Sequence, residues 1–156
     1  MKRVLLNILL ACLPVVASAD AIEINGIYYN LISKTKTAEV TKNPSSYSGN
    51  VTIPEKVVFD EIEYTVTAIG KYAFSECKFL ESVIIPGSVI NIGSHAFHSS
   101  SLKSVSIGNG VTTIEDRAFV YCRLTSLTIP SSVISIGEYN QEIKGKTNVE
   151  IISVIA

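Results

Sequence analysis

Histidine is nearly absent from this chain: its 156 residues hold two, His95 and His98. A serine, threonine or cysteine nucleophile needs a base within reach, and at neutral pH imidazoles are the ordinary candidates. These two flank Ala96-Phe97, in positions taken by Arg117 and Val120 one period later, and so read as outward-facing, solvated side chains. As metal ligands they lack cysteines or carboxylates in matching positions. There is no G-x-S-x-G elbow, no P-loop and no dinucleotide fingerprint. Adjacent carboxylates occur at Asp60-Glu61 and Glu115-Asp116. Glycosidase chemistry needs two carboxylates across a cleft, whereas these sit on a turn and in a variable position. No catalytic, cofactor-binding or metal-binding residue is assigned, and the chain reads as a non-enzyme.

Other absences narrow the class further. No clustered basic excess marks a nucleic-acid surface; the formal net charge is −1. Beyond the N-terminus, no segment approaches the about 18 apolar residues that a spanning helix needs. The N-terminus reads as an export signal: Met1-Lys2-Arg3, a mostly apolar Val4 to Val16, then Ala17-Ser18-Ala19 before Asp20. Cleavage is expected after Ala19, leaving a mature chain without a transmembrane segment that is secreted, periplasmic or at the cell surface. A lipoprotein alternative would use Leu-Leu-Ala before Cys12, but Cys12 falls early and apolar residues continue after it. Without Lys2 and Arg3, 11 of the 13 basic residues remain against 14 acidic ones, so the net charge becomes −3.

What the sequence has instead is repetition. Ile69, Ile92, Ile114 and Ile136 recur in steps of 23, 22 and 22 residues, and Leu80, Leu102 and Leu124 in steps of 22. Ala73-Phe74, Ala96-Phe97 and Ala118-Phe119 keep the same frame. Such a period signals a solenoid, whose units cannot bury their own apolar faces and must stack on neighbours. Within each unit L-x-x-V-x-I reads as a short strand, with Val83 and Ile85, Val105 and Ile107, and Leu127 and Ile129 turned inward. The residues between them point outward: Ser82 and Ile84, Ser104 and Ser106, Ser126 and Thr128. These six are the candidate binding face, since small hydroxyl residues leave room for a partner; the plainer alternative is that they suit a tightly stacked sheet. The three phenylalanines should stack inside, and the V-x-x-I-G-x-x-A-F return should be partly extended.

Two cysteines follow their phenylalanines by three residues, Cys77 and Cys122, with Ser100 in the unit between. Strands stack about 4.8 Å apart, so two rungs separate the α-carbons by on the order of 10 Å. A disulfide spans at most about 7 Å, so free thiols are expected.

The ends depart from the period. Ile22 to Ile32 reads as a hairpin around Asn25-Gly26, a pair suited to a type I′ turn. Residues 42–50 read as a loop and Val51 to Pro54 as the end of a unit. A second hairpin is expected to turn at Asp60-Glu61. After Gly137 the Ala-Phe pair gives way to Asn140-Gln141. Val149-x-x-Ile152-x-Val154 then resembles the strand pattern, 25 residues after Leu124-x-x-Leu127-x-Ile129. The organisation expected is a signal peptide at 1–19, a β cap grading into the first rung at 20–66, repeats at 67–137, and a degenerate last rung or frayed tail at 138–156.

The unit I69-G70, A73-F74, C77, L80, S82-V83, I85-P86, S88-V89, I92-G93 resembles the BspA-type leucine-rich repeat family of bacterial surface proteins. The match recurs with losses: Ser100 for the cysteine, Gly108 for the proline, Glu115 for a glycine. The resemblance implies a mainly β fold, a short leucine-rich-repeat solenoid with an N-terminal β-hairpin cap, together with export and a role in contacting macromolecules, as in adhesion or host interaction. It implies no catalytic residues and no cofactor. The chain therefore reads as a monomeric module for binding a protein or glycan, not nucleic acid; the alternative is a short structural scaffold or truncated repeat fragment without a tight partner.

Overall fold

The computed structural model describes residues 21–140 and the backbone of 151–152. The expected signal peptide at 1–19 lies outside the described residues, as does most of the segment 138–156.

The chain opens as read. Strands β1 (Ile22–Ile24) and β2 (Ile27–Ile32) pair antiparallel across Asn25 and Gly26. Their φ angles of 52° and 83° are those a type I′ turn demands. β2 then pairs antiparallel with β3 (Thr37–Val40). Strand β5 (Lys56–Phe59) and β6 (Ile62–Ile69) form the second hairpin, turning at Asp60 and Glu61 with φ of 47° and 63°.

Two largely parallel sheets follow from the period. The first runs β1-β2-β3-β6-β8-β10-β12, where β8 is Asn91–Ile92, β10 Thr113–Ile114 and β12 Ser135–Ile136. Its last three members are two-residue strands of the return segments, so the "partly extended" return is a wall of the coil in its own right. The second sheet runs β4-β7-β9, with β4 at Ser48–Thr52, β7 at Phe79–Ile85 and β9 at Ser104–Ile107. Strand β4 corrects the reading of 42–50 as loop: Ser48, Gly49 and Asn50 pair with β7. Ser and Gly are turn-rich letters, but the parallel ladder offered by β7 overrides that local preference.

A third wall consists of turns stacked by backbone hydrogen bonds. Phe74 N–H donates to Ala96 O at 2.7 Å and Phe97 N–H to Ala118 O at 2.8 Å; Glu76 and Ser99 donate to His98 O and Val120 O in the same way. To turn within one rung the chain adopts positive φ at non-glycine residues, at Tyr72, His95, Arg117 and Tyr139 and again at Glu76, Ser99 and Tyr121. Each such residue costs about 1–2 kcal/mol, which the rung-to-rung bonds offset. Rungs pack closely enough that a side chain at Gly93 would meet Ile69 O at 2.8 Å.

The core lies between these walls. Phe74, Phe97 and Phe119 stack with centroids 5.0 and 5.1 Å apart and planes within 6°. Tyr47, which the loop reading passed over, adds a ring at the N-terminal end, 4.5 Å from Phe74. Its hydroxyl donates to Thr41 O and accepts from Tyr28 N–H. At the other end Asn140 occupies the alanine slot and is buried. Its Nδ2 donates to Glu115 O and Gly137 O and its Oδ1 accepts from Phe119 N–H, the donor that in the earlier rungs bonds the alanine-position carbonyl.

The stacking of the face changes at the third unit. Strand β11 (Leu127–Thr128) lies outside the β4-β7-β9 ladder and pairs parallel with β13 (Ile151–Ile152). The expected alignment set Ile152 opposite Leu127; the observed register sets Ile151 there and Ile152 opposite Thr128. The spacing is thus 24 residues; Val149, Ile151, Ile152 and Val154 are all apolar, so the letters alone do not fix which of them stands opposite Leu127.

Two substitutions separate the forces at work. Phe97→Ala, in the middle of the ring stack, is expected to cost about 3–5 kcal/mol in urea denaturation. Tyr29 is fully buried and its hydroxyl has no partner among the described residues. Tyr29→Phe is therefore expected to leave stability unchanged or raise it by about 1 kcal/mol.

Candidate binding face

Four of the six candidate residues fall into two columns across the rungs. Ser82 pairs in register with Ser104, and Ile84 with Ser106. The columns begin one rung earlier than the repeat suggested, since Asn50 pairs with Ser82 and Thr52 with Ile84. Thr52 was legible from its likeness to the Ile84 position; Asn50 was hidden by its assignment to a loop. Ser104, Ser106, Ser126 and Thr128 are exposed, and Ile84 is 50% exposed. Ser82 is half-buried and donates to Asn50 Oδ1 at 2.6 Å. Ser126 and Thr128 lie on or beside β11, tied to the previous rung by Arg123 N–H to Leu102 O and Thr125 N–H to Lys103 O. At the margin, Lys103 and Glu81 form an exposed ion pair at 3.2 Å, worth at most about 1 kcal/mol. Phe79, at the start of β7, is 79% exposed.

None of the six candidates titrates. The face can donate and accept hydrogen bonds and cover apolar surface at Ile84, and its own side chains supply no acid or base.

The histidines depart from expectation. They are half-buried in a run of rings along the turn wall: Tyr72 to His95 at 4.9 Å, His95 to His98 at 5.3 Å, His98 to Tyr121 at 5.5 Å. The His98 position is buried in the units on either side, as Ser75 and Val120, so it is a position of the turn interior and not a free outer slot. Burial, then the neighbouring His98, Arg117 and Lys71, hold the His95 imidazole below its usual range. His95 Nδ1 lies 2.8 Å from Ser94 Oγ, which also bonds Asp116 O of the next rung. That contact ties two rungs together at the turn. Among the described residues no group of three or more His, Cys, Asp or Glu side chains could hold a metal ion.

Cys77 and Cys122 are free thiols. Cys122 donates to Phe97 O at 3.0 Å and lies 3.4 Å from Ser100 Oγ, and burial pushes its thiol up to about 11. Burial raises Cys77 as well.

With the fold and its face described, the relatives can be placed. The sequence matches the family described as BspA type Leucine rich repeat region in six copies over residues 48–153. The chain belongs to that family of leucine-rich repeat solenoids. It is similar to a leucine-rich repeat protein from Bacteroides capillosus, 30% identical, with 76% of this chain and 88% of that one covered and a TM-score of 0.67. It is also similar to a leucine-rich repeat protein from Bacteroides ovatus, 26% identical over 74% of this chain and 37% of that one, TM-score 0.59. The pneumococcal vaccine antigen PcpA is 25% identical over 75% of this chain and 34% of its own length, TM-score 0.57. The chain thus spans about a third of the last two. No curated protein matches. Among the described residues no helix is long and apolar enough to cross a membrane.

The raised thiol gives a pH test. In the unfolded chain Cys122 ionises near 9.0, whereas in the fold it keeps its proton to about 11. Between those values the unfolded state binds fewer protons, so its stabilisation by folding is intact below 9 and is lost as pH rises, by up to about 2–3 kcal/mol. Urea denaturation across that window should show a shallower pH slope in Cys122→Ala than in the parent.

Proposed function

We propose that this chain is an exported, non-enzymatic binding module that holds a protein or glycan partner on the face formed by β4, β7, β9 and β11. The observation that carries this reading is the register of exposed side chains on that face, with neutral hydroxyls in rows around an exposed Ile84. Small hydroxyls offer hydrogen bonds at low cost in side-chain entropy, and a half-exposed isoleucine among them favours a partner that covers it. Export rests on the pattern of Met1 to Ala19, and the division at residues 19, 66 and 137 is part of the same reading. The scaffold alternative is favoured by one observation, that the chain spans about a third of two of its relatives.

The test uses the full chain, immobilised and presented with extracellular-matrix proteins and mucins, beside a Ser104→Glu/Ser126→Glu variant. Retention of a partner by the parent and at least about tenfold weaker retention by the variant is the expected result, since like or unpaired charge on a packed face costs more than about 1.4 kcal/mol. Equal retention by both would sink the face assignment. No retention of any partner would favour the scaffold.

A further inference from the structure

At the head of the strand face lies a concave pocket of about 290 Å³, formed where three separate pieces of chain meet. The β1–β2 hairpin tip contributes Asn25, Gly26 and Ile27, the turn before β4 contributes Asn43 and Ser46, and Tyr47, Ser48 and residues 50–52 complete it. Its polar side chains are three asparagine amides (Asn25, Asn43, Asn50) and three hydroxyls (Ser46, Ser48, Thr52), and no charged residue lines it.

Two of the amides, those of Asn43 and Asn50, are oriented by the fold. Asn43 Oδ1 accepts from Ser45 N–H at 2.8 Å and Asn50 Oδ1 accepts from Ser82 Oγ at 2.6 Å. The amide oxygens of these two are thereby engaged, while their Nδ2 atoms have no protein partner among the described residues. Tyr47 forms a fixed wall, buried against Phe74 and held by both hydrogen bonds of its hydroxyl. A site held this way loses little freedom on binding.

The chemistry of the lining selects its ligand. Amides and hydroxyls both donate and accept, which is the pairing a polyol presents. An anion would find no cation to compensate its desolvation, and a purely apolar ligand would strand the amides without partners. The volume is at the small end of the about 300–1,000 Å³ usual for small-molecule sites, which suits one sugar residue or a chain end better than a folded partner. Asn50 also heads the column that continues through Ser82 and Ser104, so a chain leaving the pocket would run onto the strand face.

We infer that this pocket binds the terminal residue of a neutral glycan. The inference rests on the binding reading above and narrows it from protein or glycan to glycan.

The experiment titrates the full chain with lactose, maltose, cellobiose and chitobiose to about 10 mM, by saturation-transfer NMR and calorimetry, in the range where small ligands with few contacts bind. A sulfated chondroitin disaccharide and an uncharged extended pentapeptide serve as competitors. Binding of at least one neutral disaccharide is expected. Ser48→Trp, an exposed strand position filled with a bulky ring, should abolish it, and Asn50→Ala should weaken it about tenfold through lost hydrogen bonds. Thermal melts by circular dichroism establish that both variants fold. Ile134→Ser, an exposed position of the return wall that belongs neither to the pocket nor to the strand face, should leave disaccharide binding unchanged. No neutral disaccharide bound at that concentration, undiminished binding in a folded Ser48→Trp, or stronger binding of the sulfated sugar or the peptide would each overturn the inference. If a partner is nonetheless retained by the parent and lost from the strand-face variant, the face reading stands and the pocket alone is wrong. If disaccharides bind but no face-dependent partner exists, the reverse holds.

Discussion

Everything in this molecule depends on one rung finding the next at strand spacing. The repeated backbone bond, Phe74 N–H to Ala96 O and then Phe97 N–H to Ala118 O, sets equivalent residues of successive units directly above one another. Once that registry holds, a residue type repeated in sequence becomes a column in space. The phenylalanines become a stack of rings, the outward strand residues become rows, and the left-handed turn residues become a continuous edge. Local strain at the turns is tolerable only because each turn is bonded to the one beyond it. Remove a neighbour and both the hydrogen bonds and the buried ring faces go together.

The same dependence makes departures from the repeat special, and the two that the described residues show use different means. At the N-terminal end the parallel stack passes into antiparallel hairpins, β1 to β3 and β5 with β6, which satisfy their own backbone groups. Tyr47 covers the first phenylalanine while bonding through its hydroxyl to the cap. At Asn140 a side-chain oxygen takes the Phe119 N–H that in earlier rungs goes to the backbone carbonyl of the alanine position. The first device also creates concavity, because a hairpin tip, a turn and a strand of different origin must meet around Tyr47. The candidate pocket is thus a by-product of how the stack is capped, placed by the cap at the head of the columns.

The sequence disclosed the fold far better than it disclosed the site. The interior letters Ile, Leu, Val and Phe repeat because stacking demands it, so the solenoid, the ring ladder and the outward positions could all be read from spacing. The I′ hairpin was equally legible, since Asn25-Gly26 has few other conformational uses. What failed had physical reasons. β4 was missed because Ser48 and Gly49 carry turn-like preferences that a neighbouring strand overrides. The short return strands β8, β10 and β12 are two residues long, below any alternation that could reveal them. His98 was assigned outward because Arg117 stands in for His95 one unit on, although Ser75 and Val120 are buried at the His98 position. The pocket residues come from positions 25 to 52 and share no motif, so only folding brings them together.

The two kinds of step in the period, 22 and 23, locate where this architecture can stretch. Phe74 and Leu80 are six residues apart, while Phe97 and Leu102, and Phe119 and Leu124, are five apart. The additional residue therefore sits at the corner between the turn wall and the strand wall, on the stretch that ends in exposed Phe79. Inside a wall an added residue would invert the inward and outward order of everything after it in that strand; at the corner it is simply extruded. Change in such a chain is quantised in two sizes: whole coils, which join like walls to like, and single corner residues, which alter what is displayed without disturbing what is stacked.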